Sequence, residues 1–428
     1  MTSDKSAGLL GVNTQEFDEI LFSDDLSWLR YRIEKFVEGG VYLLAGEPGI
    51  GKTTLALQIA MDLGKQGTNT LYILNEQSKN EIAKRAKQIS SEWPSKDGEK
   101  ALKAVEPIGP EDGLYDDISN LPTFLSHQVL GQAGRYYSFG AKLIVVDSIQ
   151  GQGLSSVATK QYRQVYDFCR RCKTEGITTL LIAHVTKKGE IAGPKDLQHN
   201  VDCVLYMRKA LAYRPLFVPK NRYGPAVLHP IPLEMNRITT ALQLSPHSES
   251  VSTVAKTFLG RHFGIAEAQA AVALPNLGNR PQIIAPGLPR KEIEQLINCI
   301  SQIPDMDIGD LSYTIQCRLP GEQRYRSIMG LPLAMALIAS YLQREIPRHH
   351  LYIGELDLLR QVREVPNSII EELWDAIEEN EIATPIRIFC PTESAIVIRE
   401  KVKDATVIGC DRLDDALYKT WDDLRPAL

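Results

Sequence analysis

Five short apolar runs, each separated from the next by a stretch of helical character, constrain this chain more than any other feature. They are VYLLA (Val41 to Ala45), TLYIL (Thr70 to Leu74), KLIVV (Lys142 to Val146), TLLIA (Thr179 to Ala183) and CVLYM (Cys203 to Met207). A strand that is apolar at every position, rather than at alternate ones, must be covered on both faces. That is the condition of a parallel sheet whose crossovers are helices. The runs therefore predict an α/β domain with a mostly parallel sheet over 39–246, after a lead-in segment 1–38 that ends in the Gly39-Gly40 turn.

Around His247 to Ala255 the sequence becomes polar and loses its period, so a linker is expected over 247–262 and a second domain over 263–424. In that second region Ile293, Leu296, Ile297 and Ile300 recur at helical spacing, and LPLAMALIASYL from Leu331 reads as a buried helix that tolerates Pro332 in its first turn. With 428 residues, two domains are the natural division. No apolar run approaches the roughly 20 residues a membrane span requires, and MTSDKSAGLLGV lacks the pattern of a targeting signal, so the expectation is a cytoplasmic protein without a membrane partner. Seven cysteines, scattered and odd in number, do not suggest a disulfide framework. Cys169 and Cys172 alone have C-x-x-C spacing; without a second pair they read as packed thiols, and no zinc is expected.

The segment GEPGIGKTT comprises Gly46, Glu47, Pro48, Gly49, Ile50, Gly51, Lys52, Thr53 and Thr54. It matches G-x-x-x-x-G-K-[ST] between the strand VYLLA and a helical stretch, the context this chemistry needs. Glycines let backbone N–H groups converge on phosphates, and the helix N-terminus adds its positive end. Lys52 is then the β,γ-phosphate cation and Thr53 a Mg2+ ligand, so ATP and Mg2+ are the implied ligands.

Asp147 ends KLIVV, where the second Mg2+ ligand belongs, but Ser148 follows it in place of a catalytic glutamate. The base must come from another strand tip, and Glu76, after TLYIL, is the candidate. Its competing reading is a carboxylate at a helix N-terminus. His184, after TLLIA, stands where a γ-phosphate sensor would; its competing reading is a histidine that satisfies loop backbone.

The segments VVDSIQ, HVTKKGEIAGPKDLQHNVDCVLYM and KNRYG (Lys220 to Gly224) resemble the RadA/Sms family of bacterial recombination ATPases, over about Gly39 to Trp421. KNRYG is the most discriminating; the family's usual form has Phe where Tyr223 stands. The resemblance implies a RecA-like P-loop domain followed by an α+β Lon-protease-like domain. It implies a DNA-dependent ATPase of recombinational repair, driving branch migration and strand invasion as a homo-hexameric ring on single-stranded or branched DNA, with a recombinase as a partner. Lys220 and Arg222 would act on the neighbouring subunit's ATP or on DNA; the competing reading is a solvated basic turn. Two loops after Val146 and Ala183 would meet DNA through Lys160, Arg163, Lys187, Lys188 and Lys195.

Typical members of the family begin with a four-cysteine zinc module, and no cysteine here precedes Cys169. That departure, with the formal net charge of -5, leaves open an alternative: a regulatory or scaffold ring ATPase that does not remodel DNA. Proteolysis is not expected. A Lon-type serine needs a lysine, none lies between Lys291 and Lys401, and the dyad positions read as Met329 and Ile369.

Overall fold

In the computed structural model the five apolar runs are strands of one sheet. The structure describes residues 18–425 except 24–25, 34–35, 114–117, 151–157, 186–194, 246–252, 262, 276–278, 319–326, 380–381, 383–384 and 402–404. Among its elements, in chain order, are β1 (Val41–Gly46), α1 (Lys52–Gln66), β2 (Thr70–Leu74), α2 (Lys79–Ile89), β3 (Val105–Ile108), β4 (Leu143–Asp147), α3 (Ala158–Thr174), β5 (Thr178–His184), α4 (Lys195–Asn200) and β6 (Cys203–Met207). An antiparallel extension follows: β7 (Tyr213–Asn221), β8 (Val227–Met235) and β9 (Leu242–Leu244). The strand order is β9-β8-β7-β6-β1-β5-β4-β2-β3, and every pairing from β6 to β3 is parallel.

The apolar runs are continuous because both faces are covered. Tyr42 and Leu44 of β1 pack with α1 residues such as Leu55 and Ile59, whereas Leu43 and Ala45 pack with the α3 residues Val165 and Phe168. Helix α1 is buried from Thr54 to Gly64, and Gln58 fastens it to β9 by exchanging two hydrogen bonds with the Leu242 backbone. The lead-in is less separate than its sequence suggests. Leu26, Leu29, Ile33 and Phe36 are buried in the same core layer as α1, and Phe36 stacks on Tyr42 with ring centroids 3.8 Å apart.

The second domain is a mixed sheet with its own helices. Its elements are β10 (Ala255–Phe258), β11 (Ile265–Ala273), β12 (Ile283–Ile284), α5 (Arg290–Ser301), β13 (Ser312–Arg318), α6 (Gly330–Leu342), β14 (His350–Tyr352), α7 (Asn367–Glu378), β15 (Ile386–Pro391), α8 (Thr392–Lys401), β16 (Ala405–Cys410) and α9 (Leu413–Thr420). The strands run β12-β13-β11-β10-β14-β15-β16, and α6, buried along its whole length, lies against β10 and β11. The sheet opens inside the span expected as linker: Ala255–Phe258 is a full strand, paired antiparallel with β11 and parallel with β14. Long-range pairing makes AKTF a strand, and local polarity did not show it. No helix among the described residues is long and apolar enough to cross a membrane.

A short antiparallel bridge joins the domains. Leu211 N–H donates to Asp305 O and Asp307 N–H to Lys209 O. Arg208, only 5% exposed in its side chain, forks onto both Asp307 carboxylate oxygens at 2.6 Å and also donates to Gly309 O. A buried guanidinium needs this full set of acceptors to offset its desolvation. Removing the arginine leaves the partner charge and a carbonyl without it. Arg208→Ala is expected to cost about 3 kcal/mol, read as a lower urea midpoint and earlier proteolytic separation of the two domains.

Candidate functional site

Strand register assembles the site. Gly46, the last residue of β1, pairs with His184, the last of β5, while Leu74 of β2 pairs with Asp147 of β4. Because β1, β5, β4 and β2 are parallel neighbours, their C-terminal tips form one edge, where ligands of open α/β sheets bind. Residues from four separate stretches of chain meet there.

The loop from Gly46 to Gly51 turns directly into α1. Gly51 has φ 108°, in the left-handed region that favours glycine, and a Cβ on Gly46 would stand 2.8 Å from the Met207 carbonyl. No side chain caps α1, so its first N–H groups remain available to an anion. Lys52 lies buried at the start of α1 and donates to Gly46 O at 2.8 Å and Glu47 O at 2.7 Å. Its third contact is His184 Nδ1 at 3.2 Å. An ammonium has only protons to offer, so Nδ1 accepts, and the opposite nitrogen, Nε2, is left to donate to Glu76 Oε1 at 2.8 Å. Ser148 Oγ donates to the same Glu76 oxygen. One imidazole thus connects the phosphate lysine to the carboxylate expected to act as base.

The carboxylates sit in different surroundings. The His184 hydrogen bond, then Ser148, with the nearby Lys52 charge, outweighs partial burial and holds Glu76 below the usual carboxylate range. It is ionised at neutral pH. Burial pushes Asp147 up, opposed by hydrogen bonds from Thr53 and Tyr72. Thr53 and Asp147 therefore bring two hard oxygen donors together at hydrogen-bond range, with Gln77 3.4 Å from the Thr53 hydroxyl, a donor set that suits Mg2+. No sequence pattern signals Ser148, Gln77, Tyr72 or Gln150 as contributors. Gln150, whose Oε1 accepts from the His184 N–H at 2.8 Å, lies within VVDSIQ but stands at no position that a local motif would mark.

KNRYG lies where β7 ends, beside β6, away from the phosphate loop. Lys220 donates to Gln198 O at 2.8 Å and His199 O at 2.7 Å, carbonyls in the last turn of α4. Arg222 reaches His199 O at 3.1 Å and Asp202 Oδ1 at 2.9 Å, and keeps 52% of its side chain exposed. Burial alone would raise the Asp202 carboxyl, yet Lys173, the Val41 N–H and Arg222 hold it below its usual range. Within one chain these cations cap a helix end. Of the residues expected to face DNA, Arg163 is exposed on α3. Lys160 and Lys195 lie on α3 and α4 with side chains outside the described residues, and Lys187 and Lys188 lie wholly outside them. Cys169 and Cys172 are buried residues of α3, and burial raises both thiols, Cys172 to about 12. Met329 and Ile369 are buried apolar residues.

A family model described as "ATPase: KaiC" matches residues 11–241. The chain is 30% identical over 347 residues to the DNA repair protein RadA of Haemophilus influenzae, covering 77% of this chain and 70% of that protein. It is 26% identical over 404 residues to the DNA repair protein RadA of Escherichia coli strain K12, covering 91% and 80% respectively. Among solved structures, a KaiC-like protein from Pyrococcus horikoshii is 18% identical with a TM-score of 0.42, covering 54% of this chain and 100% of that one.

Burial lowers Lys52 to about 8, against the raising influence of Asp147, Glu76 and Glu47. Phosphate favours the protonated lysine, and the free protein loses that proton as pH climbs past this value. Affinity for a non-hydrolysable ATP analogue is therefore expected to be level at lower pH and to fall by up to about tenfold per unit above about pH 8. Isothermal titration from about pH 7 to about 9.5 checks this, and Lys52→Ala should lose both the affinity and its pH dependence.

Proposed function

Because this chain belongs to the RadA family of RecA-like ATPases, we propose that it is a DNA-dependent ATPase of recombinational repair. In this reading it hydrolyses ATP within a homo-hexameric ring to drive branch migration and strand invasion on single-stranded or branched DNA, alongside a recombinase. The observation that carries the catalytic part is the connected chain Lys52–His184–Glu76–Ser148 beside Thr53 and Asp147 at one sheet edge.

ATP lies across the N-terminus of α1 with its phosphates on the loop N–H groups. Lys52 exchanges the Gly46 and Glu47 carbonyls for phosphate oxygens. Thr53 and Asp147 would hold Mg2+, which would supply positive charge against the β- and γ-phosphates. Glu76 takes the proton of the attacking water. With two donors on one oxygen it is a poor base as it stands; when Lys52 leaves Nδ1 for the γ-phosphate, the imidazole is no longer held in the tautomer that donates from Nε2, and a shift of its proton to Nδ1 removes one donor from Glu76. His184 thereby links phosphate occupancy to the base.

The DNA side of the reading rests on where the loops start. Both leave the same edge as the phosphate loop, after Asp147 and after His184, so DNA contact and hydrolysis would share the strand tips. Lys220 and Arg222 act on the neighbouring subunit's ATP or on DNA, and the exposed half of Arg222 supports a role outside its own chain. The second domain serves as a ring-forming platform and not as a protease, since buried Met329 and Ile369 stand at the dyad positions.

Glu76→Gln is expected to keep nucleotide affinity while turnover falls by about a hundredfold or more; normal turnover would move the base elsewhere. Steady-state ATPase with and without single-stranded DNA, at two salt concentrations, tests the rest. A rate that DNA does not change would favour the scaffold alternative. Arg222→Ala should reduce turnover in the presence of DNA while leaving the fold of the monomer intact, and an unchanged stimulation would remove the role given to this residue.

A further inference from the structure

Tyr72 is buried in the middle of β2, with its ring in the core layer shared by α1 and its hydroxyl 3.0 Å from Asp147 Oδ2. The same hydroxyl lies 3.4 Å from Thr53 O. It therefore sits between the two residues read as holding the metal, one on a strand and one on a helix. A tyrosine hydroxyl has one proton, and the shorter, charge-assisted contact to Asp147 takes it. Phenylalanine would fill the same core volume, so packing does not account for the oxygen. Burying a hydroxyl without a partner is unfavourable, and this one is spent on a carboxylate that is itself 4% exposed.

From this geometry we infer that Tyr72 is a positioning residue for the metal site. It fixes the Asp147 carboxylate by holding Oδ2, while the Thr53 hydroxyl is hydrogen-bonded to the same carboxylate. A carboxylate with one pinned oxygen loses less rotational freedom when it takes up a cation, and preorganisation of this kind raises affinity without a direct contact. The inference rests on the reading of Asp147 as a Mg2+ ligand.

The test measures the dissociation constant of a non-hydrolysable ATP analogue in Mg2+ and in EDTA, for the full chain; the EDTA value divided by the Mg2+ value reports how strongly metal and nucleotide support each other. Tyr72→Phe is expected to lower that ratio by about tenfold, the loss of one hydrogen bond to a charged group, with the EDTA value unchanged. Asp147→Asn should collapse the ratio, and adding Tyr72→Phe to it should do nothing further, because the tyrosine acts through the carboxylate. If Asp147→Asn leaves the ratio intact, the metal-ligand reading fails and takes the inference with it. If Asp147→Asn collapses it but Tyr72→Phe does not lower it, or lowers the EDTA affinity equally, the inference alone is overturned. Should Tyr72→Phe fail to fold by itself, the double variant, which carries no stranded charge, decides the matter: an EDTA affinity equal to that of Asp147→Asn supports the inference, and a weaker one overturns it.

Discussion

The parallel pairing that sets Gly46 opposite His184 and Leu74 opposite Asp147 is the constraint on which the site depends. Parallel neighbours end on the same side, so one register decision brings the phosphate loop, the imidazole and both carboxylates to a single edge. A shift of one residue along β5 would turn His184 to the opposite face of the sheet and break the link between Lys52 and Glu76. The apolar faces enforce the register, because the same shift would exchange the α1-facing side chains with those facing α3.

Low dielectric at that edge is turned to use by pairing. Lys52 is buried, yet each of its protons has an acceptor, two of them carbonyls of the loop it serves. Asp147 is buried and held by Thr53 and Tyr72, whereas Glu76, a third exposed in its side chain, is kept ionised by His184 and Ser148. The result is two carboxylates at one sheet edge with opposite pKa tendencies, Asp147 raised by burial and Glu76 lowered by its donors.

The second domain is attached beside this edge. Met207 pairs with Gly46, and the next residue, Arg208, is the buried anchor onto Asp307, while Lys209 lies 4.0 Å from Glu47 of the phosphate loop and 3.7 Å from Asp305. The phosphate loop and the attachment of the second domain therefore share a strand end. This continuity matches a core cluster that runs through both domains rather than stopping at the joint.

The five buried strands, the phosphate loop and the aspartate at a strand tip are legible in the amino-acid sequence alone, because each is written in a few consecutive residues: all-apolar runs, Gly-rich spacing ahead of a helix, an aspartate ending a strand. Local signals of this sort depend on φ/ψ preference and burial, which neighbours in sequence determine. Such signals carry nothing that is set by pairing between distant segments. Ala255–Phe258 became a strand through β11 and β14, the lead-in joined the first core through Phe36 on Tyr42, and Lys220 and Arg222 met the end of α4. Tyr72 looks like any aromatic in a buried strand until the fold brings Asp147, 75 positions away, to its hydroxyl. Residue type sets what a side chain can donate or accept, and only the tertiary structure supplies the partner.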